Sequence, residues 1–168
     1  LEKETVEISN SSAKDLNEVT IITEFFYEHH PNKNYYATII DSCNSRFRLM
    51  MHEHSHMRAY CNSGILWAKT VNNYQVKKEL PPNEYHVVFT YKNGNLTSYI
   101  DGNLNWEKDV ADKDIDLNKF SLLMNCPEKG EMNLGDEFVG EVTSITILKK
   151  ALNPDEVAEC FKGAIKNS

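Results

Sequence analysis

The three arginines of the chain, Arg46, Arg48 and Arg58, lie within a stretch of 13 residues, whereas the other basic residues are lysines spread along the chain. A guanidinium group is a planar fork that grips a carboxylate or sulfate with two hydrogen bonds, which an ammonium group cannot do. Tyr60 adds a flat ring and a hydroxyl to the same stretch. This combination is suited to binding an acidic saccharide, such as a sialic or uronic acid.

A β-hairpin would bring these residues together. If Glu53-His54-Ser55 is a three-residue loop, His52 faces His56, and the pairing continues along both strands. One face then carries Arg46, Arg48, His52, His56, Arg58 and Tyr60. The other carries the apolar residues Phe47, Leu49, Met51, Met57, Ala59 and Cys61 and is expected to be core. A two-residue loop would shift the pairing by one residue and scramble both faces.

A structural interpretation of this hairpin also stays open. In it, the arginines form ion pairs with nearby carboxylates such as Glu53 or Asp41, and the face binds no ligand. The alternating His52, His54 and His56 likewise allow two interpretations, a Zn²⁺ or Cu²⁺ site on one strand face or a polar turn, and we favour the turn.

Four cysteines, Cys43, Cys61, Cys126 and Cys160, have no CxxC spacing and no histidine at zinc-finger spacing. We interpret them as two structural disulfides formed in an oxidising compartment; four free thiols in a cytosolic protein is the alternative. The pairings that close local loops, Cys43–Cys61 and Cys126–Cys160, are the ones we favour. An extracellular or cell-surface location follows.

Short alternating or β-branched runs, separated by polar breaks, predict the elements that position these residues. They favour an all-β sandwich over βαβ units. An Asn93-Gly94 turn predicts one hairpin, and Asp101-Gly102 ends its second strand with another tight turn. The predicted strands are Thr5–Ile8, Val19–Tyr27, Tyr35–Ile40, Arg46–His52, His56–Cys61, Tyr85–Tyr91, Leu96–Ile100, Phe120–Met124 and Phe138–Leu148.

The end of the chain predicts a single short helix that caps the sandwich. Asn153 is a good N-cap, Pro154 suits the first helical position, and acidic residues follow in the first turn. The helix is expected to end near Gly163.

Two stretches carry a resemblance to a known family. The first is the strand at 84–91 followed by the turn-containing run 93–102, and the second is the Phe-x-Gly strand at 138–147 followed by the helix start at 151–157. They resemble the laminin-G-like domains of the concanavalin A-like lectin/glucanase superfamily. The resemblance implies an antiparallel jelly roll of two sheets, one of them concave, with a short C-terminal helix. The whole chain, 1–168, is expected to form one such domain.

The resemblance also implies where catalysis or metal binding would occur. Glycan-hydrolysing members carry a Glu-x-Asp-x-Glu strand, which this chain lacks, so we expect it not to be an enzyme. Related domains bind calcium on rim loops, and Asp112, Asp114 and Asp136 are candidate ligands here; solvated loop carboxylates are the alternative. The EF-hand pattern that begins at Asp112 fails, because leucines stand at its sixth and twelfth positions.

Charge and hydropathy exclude other classes of protein. The formal net charge is −7, and no dense basic stripe suggests nucleic-acid binding. No apolar run approaches the length needed to cross a bilayer. We therefore expect a lectin-like module of a larger surface protein, which binds a glycan or a glycoprotein through the concave sheet. The alternative is an adhesion domain of laminin-G type that binds a protein through rim loops.

Overall fold

The structure, a computed structural model, describes residues 2–7, 16–28, 37–43, 47–52, 56–60, 83–109, 117–123, 126 and 138–166. These residues form two five-stranded antiparallel sheets with the strand orders β1-β9-β3-β4-β5 and β10-β2-β6-β7-β8. The predicted all-β, two-sheet jelly-roll sandwich with a C-terminal helix is confirmed. The elements are β1 Glu4–Glu7, β2 Glu18–Tyr27, β3 Ala37–Ser42, β4 Arg48–His52, β5 His56–Tyr60, β6 Asn83–Lys92, β7 Asn95–Ile100, β8 Asn103–Asp109, β9 Lys119–Leu122, β10 Gly140–Leu148 and α1 Pro154–Lys166.

The main core lies between the two sheets, because alternate residues of each strand point inward. Leu49 and Met51 of β4 and Val87 and Phe89 of β6 belong to one buried cluster. The Phe47 and Phe89 rings meet edge to face, with their centroids 5.8 Å apart. This contact joins the hairpin side of the sandwich to the second sheet.

Both predicted turns are present. Asn93 and Gly94 have φ values of 46° and 85°, and Asp101 and Gly102 have 49° and 78°. Positive φ at both central positions gives the right-handed twist that a two-residue hairpin needs. The strand β8 after the second turn was not predicted, because its sequence is mostly polar and has no β-branched residue.

The helix α1 begins as the sequence predicts. Asn153 Oδ1 accepts a hydrogen bond from Glu156 N at 2.9 Å, and Asn153 N donates to Glu156 Oε1 at 3.2 Å, which is a capping box. The helix runs on to Lys166 instead of ending near Gly163, because Gly163 lies within the helix and does not adopt the positive φ of a C-cap glycine.

The outer face of the second sheet carries α1 and a smaller core. Val157 of α1 is fully buried against Ile22 of β2, Val88 of β6 and Tyr99 of β7. Gly140 at the start of β10 has a φ of 137°, and a Cβ there would overlap the carbonyl oxygen of Phe26. The backbones of Gly140 and Phe26 therefore lie very close together, and this lets β10 pair with β2 beside the helix.

The disulfide pairing that we favoured is wrong. Cys43 is bonded to Cys126, and Cys160 is a free thiol on α1. The two bonded cysteines are 83 positions apart, yet β3 and β9 are neighbours in the first sheet, which brings the ends of these strands together. A preference for local loops cannot anticipate such a pairing. Cys61 lies outside the described residues.

No helix in the described part of the chain is long and apolar enough to cross a membrane.

Candidate functional site

The arginine hairpin has the register that the sequence predicts. Arg48 pairs with Tyr60, Met50 with Arg58, and His52 with His56, which leaves three residues between the paired ends of β4 and β5. Among the strands that the structure describes, β5 is at one edge of the first sheet. The structure describes the backbone of 52 and 56–60 but not their side chains, and Arg46 lies outside the described residues.

Arg48 is held in a buried ion pair. Its guanidinium Nη2 lies 3.1 Å from Asp41 Oδ2, and the two side chains are 11% and 0% exposed. The same carboxylate oxygen accepts the backbone N–H of Cys126 at 3.1 Å. Met50, on the same face, is fully buried. For Arg48 the contacts therefore agree with the interpretation in which the arginines form ion pairs with nearby carboxylates. The part of the hairpin face that carries Arg48 and Met50 is buried.

The residues 52–56 spell His-Glu-x-x-His, the zinc signature of a metalloprotease helix. That motif works because residues i and i+4 share one face of a helix. Here the two histidines instead lie opposite each other on β4 and β5, across the hairpin loop. The metalloprotease geometry is therefore absent.

The predicted metal ligands Asp112, Asp114 and Asp136 lie outside the described residues. Within the described ranges, no group of three histidine, cysteine or carboxylate side chains could hold a metal ion.

A cavity of about 410 Å³ lies on the other sheet, between its outer face and the last turns of α1. Its size is in the range of small-molecule sites, roughly 300–1,000 Å³. The floor comes from β2 and β6, and the sides come from the β7–β8 turn, from β10 and from α1. The lining residues are Glu24, Phe25, Phe26, Asn83, Glu84, Tyr85, His86, Asp101, Thr143, Phe161 and Ala164.

His86 is the most unusual residue of this lining. It is 5% exposed, and neither ring nitrogen has a hydrogen-bond partner. Nε2 lies 3.9 Å from Glu24 Oε1, which is too far for a hydrogen bond. The ring packs against Phe161 of α1, with the centroids 5.6 Å apart. A buried polar group without a partner is rare and costly in native proteins.

Two carboxylates are oriented by neutral groups around the imidazole of His86. Asp101 Oδ1 accepts the backbone N–H of His86 at 2.9 Å, and Glu24 Oε2 accepts the hydroxyl of Ser144 at 2.8 Å. The described lining contains Glu84 as a third carboxylate and contains no lysine or arginine. The cavity therefore carries negative charge without a fixed counter-ion.

The electrostatic surroundings shift two pKa values at this cavity. Burial lowers the pKa of His86, and the nearby charges of Glu24 and Asp101 only partly oppose this, so the imidazole is neutral at pH 7. Burial, followed by the charge of Asp101, raises the pKa of Tyr85 to about 12. A neutral imidazole provides one donor and one acceptor.

The sequence analysis did not select this cavity. His86 and Asp101 belong to the stretch that carries the family resemblance, where we interpreted them as strand and turn residues. Glu24 is an acidic residue in the middle of β2, directly before the apolar pair Phe25 and Phe26, and that contrast was an available signal. Its pairing with His86 depends on the β2–β6 register.

The model of the family described as the concanavalin A-like lectin/glucanases superfamily, of laminin G type, matches residues 3–158. The chain belongs to this superfamily. The match covers most of the chain and agrees with the two-sheet sandwich. No match was found among curated protein sequences.

Several solved structures share this concanavalin A-like fold. Botulinum neurotoxin type C, described as dependent on two ganglioside molecules, is 16% identical with a TM-score of 0.65, over 96% of this chain and 39% of that one. The binding domain of botulinum neurotoxin DC in complex with rat synaptotagmin II is 15% identical with a TM-score of 0.64, over 96% and 40%. A mutant Trypanosoma rangeli sialidase is 14% identical with a TM-score of 0.61, over 88% and 23%. The chain thus spans two fifths or less of these proteins, and at such identities the likeness is one of fold.

Proposed function

We propose that the chain is a non-catalytic, extracellular carbohydrate-binding module of a larger surface protein, and that it recognises an acidic glycan. The observation that carries the proposal is the register of β4 and β5, which gives Arg58, Tyr60 and the two facing histidines the same side of an edge hairpin. Membership of a lectin-like superfamily and a fold shared with a ganglioside-dependent toxin support it.

Within this site the arginines have different roles. Arg48 is engaged by Asp41 and acts as an anchor for the hairpin. Arg58 is on the edge strand, two residues from Tyr60, so it is the arginine that we assign to the ligand carboxylate. An edge position allows a saccharide to approach from the side even where the face itself is covered at Met50.

The non-catalytic part of the proposal rests on the sequence. The chain lacks the acidic triplet that the resemblance associates with glycan hydrolysis. The sialidase that shares the fold is a much longer chain, of which this chain covers 23%.

A glycan array tests the proposal. We expect the wild-type protein to bind sialylated or uronic-acid glycans and to bind their neutral counterparts at least tenfold more weakly. Arg58→Ala and Tyr60→Ala should each abolish binding, with the melting temperature unchanged within a few degrees.

Lys92→Ala is the matched control, because it removes a positive charge from the second sheet, where Lys92 forms an exposed pair with Glu18. Full glycan binding by both hairpin variants, or binding of no glycan by the wild-type protein, would contradict the proposal.

One observation favours a second candidate, a protein-binding domain. A structure with the same fold is a complex with synaptotagmin II. In that case a protein partner would be captured with an affinity that neither Arg58→Ala nor an excess of free glycan changes.

A further inference from the structure

We propose that the cavity beneath α1 is a second binding site, which takes a small hydroxylated primary amine. It lies on the outer face of the second sheet, whereas the hairpin belongs to the first sheet. The inference is therefore independent of the proposed glycan site.

The charge of the lining selects a cation. Glu24, Glu84 and Asp101 line the cavity, and the described lining has no lysine or arginine. The last turn of α1 also contributes through Ala164, and the C-terminal end of a helix carries a partial negative charge. An anion would be repelled from such a site, and a neutral apolar ligand would leave the carboxylates without a counter-ion.

The unpartnered His86 points to a ligand that also forms hydrogen bonds. The imidazole is buried in the cavity wall, with one donor and one acceptor unused. An ammonium group that donates to Glu24 Oε1 comes close to His86 Nε2, because these two atoms are only 3.9 Å apart. The other ring nitrogen, Nδ1, is also without a partner, and a hydroxyl on the same ligand can accept a hydrogen bond from its N–H. An amine that carries a hydroxyl therefore satisfies both groups.

Aromatic rings complete the site. Phe26 and Phe161 belong to the lining, and so does Tyr85, although its ring packs against Phe25 in the main core. The face of an aromatic ring attracts an ammonium group, most strongly where water is excluded. Phe161 comes from α1 and contacts His86, so the helix supplies one wall of the site.

The test uses the folded chain and two amines with their N-acetyl derivatives, which keep the hydroxyls and lose the charge. Ethanolamine represents a free amino alcohol, and glucosamine represents an amino sugar. We expect isothermal titration calorimetry to detect at least one amine and neither N-acetyl compound. The NMR signals of the His86 ring should shift during the same titration.

Two charge-removing variants locate the site. Glu24→Gln retains an acceptor for the Ser144 hydroxyl, and Asp101→Asn suits the positive φ at that position. Each should weaken amine binding at least tenfold. Glu159→Gln makes the same change on α1 outside the lining and should bind normally, as should Arg58→Ala.

The proposal is overturned if neither amine binds, if an N-acetyl compound binds as well as its amine, or if both cavity variants bind like the wild type. Because Arg58→Ala affects only the hairpin, a failure of the glycan experiment leaves this result unaffected, and the reverse also holds.

Discussion

The hairpin of the first sheet and the cavity of the second sheet treat buried polar groups in opposite ways. At the hairpin, Asp41 is fully buried and has both the Arg48 guanidinium and the Cys126 N–H as partners. At the cavity, His86 is buried with no hydrogen bond, and the carboxylates beside it face no basic side chain within the described lining. Satisfied polar groups stabilise a fold, whereas unsatisfied ones beside a cavity are the groups that a ligand can complete.

This difference explains why the roles of Arg48 and Glu24 do not follow from their residue types. Arg48 looked like a ligand-binding residue in the sequence, yet its partner is Asp41, which is seven positions earlier in the chain. Glu24 attracted no attention in the sequence, yet it lines a cavity of about 410 Å³. Residue type alone did not distinguish these roles. Arg48 has the carboxylate of Asp41 as its counter-ion, whereas Glu24 faces no lysine or arginine within the described lining.

The largest expected effect comes from breaking the buried ion pair between Asp41 and Arg48. Asp41→Ala leaves the buried Arg48 guanidinium without its carboxylate and the Cys126 N–H without its acceptor. Removing one partner of a buried ion pair costs about 3–5 kcal/mol, so we expect the free energy of unfolding to fall by about that amount. Urea denaturation followed by tryptophan fluorescence measures it.

Glu159→Ala is the control for this experiment, because it removes an exposed partner of Lys162 and should change the stability little. If Asp41→Ala costs less than about 1 kcal/mol, the hairpin anchor that we infer does not exist.

The second effect is a pH dependence of stability that comes from the buried His86. Because burial lowers the pKa of His86 in the folded protein, the unfolded state binds more protons below about pH 6.5. Stability should fall as the pH drops below that value and should level off once the pKa of the folded state is passed. The slope from one such group is at most about 1.4 kcal/mol per pH unit.

His86→Phe isolates this contribution, since it keeps a ring against Phe161 and removes the titration. Glu24 and Asp101 face the imidazole from β2 and from the β7–β8 turn, and Cys160 on α1 stays uncharged because burial raises its pKa. The other histidines are the same in both proteins. Identical stability profiles for the two proteins between pH 7 and pH 5 would refute the buried, neutral His86.

The smallest effect loosens the wall of the cavity. Asn153→Ala removes the N-cap of α1 and should lower the free energy of unfolding by about 1 kcal/mol. Since α1 supplies Phe161, amine binding should weaken while glycan binding is unaffected. Asn153→Ser keeps a capping hydroxyl and serves as the control; equal stability of the Ala and Ser variants would argue against the capping role.

Several features could be predicted because they depend on neighbours in the sequence. The Asn93-Gly94 and Asp101-Gly102 turns need residues that tolerate positive φ, and the capping box needs Asn153 and Glu156 three positions apart. The register of the arginine hairpin followed from its loop length and from the alternation of apolar residues. Such signals are local, so a single sequence contains them.

Other features depend on which strands become neighbours, and only the tertiary structure decided them. The Cys43–Cys126 disulfide requires β3 beside β9, and the pairing of Glu24 with His86 requires β2 beside β6. The cavity needs α1 as well, which packs on the second sheet through Val157. The sequence by itself determined a β sandwich with one arginine-rich hairpin. The tertiary structure decided whether each polar or charged side chain of the sandwich already has a partner within the protein, because hydrogen bonds and ion pairs depend on distance in space and not on distance along the chain.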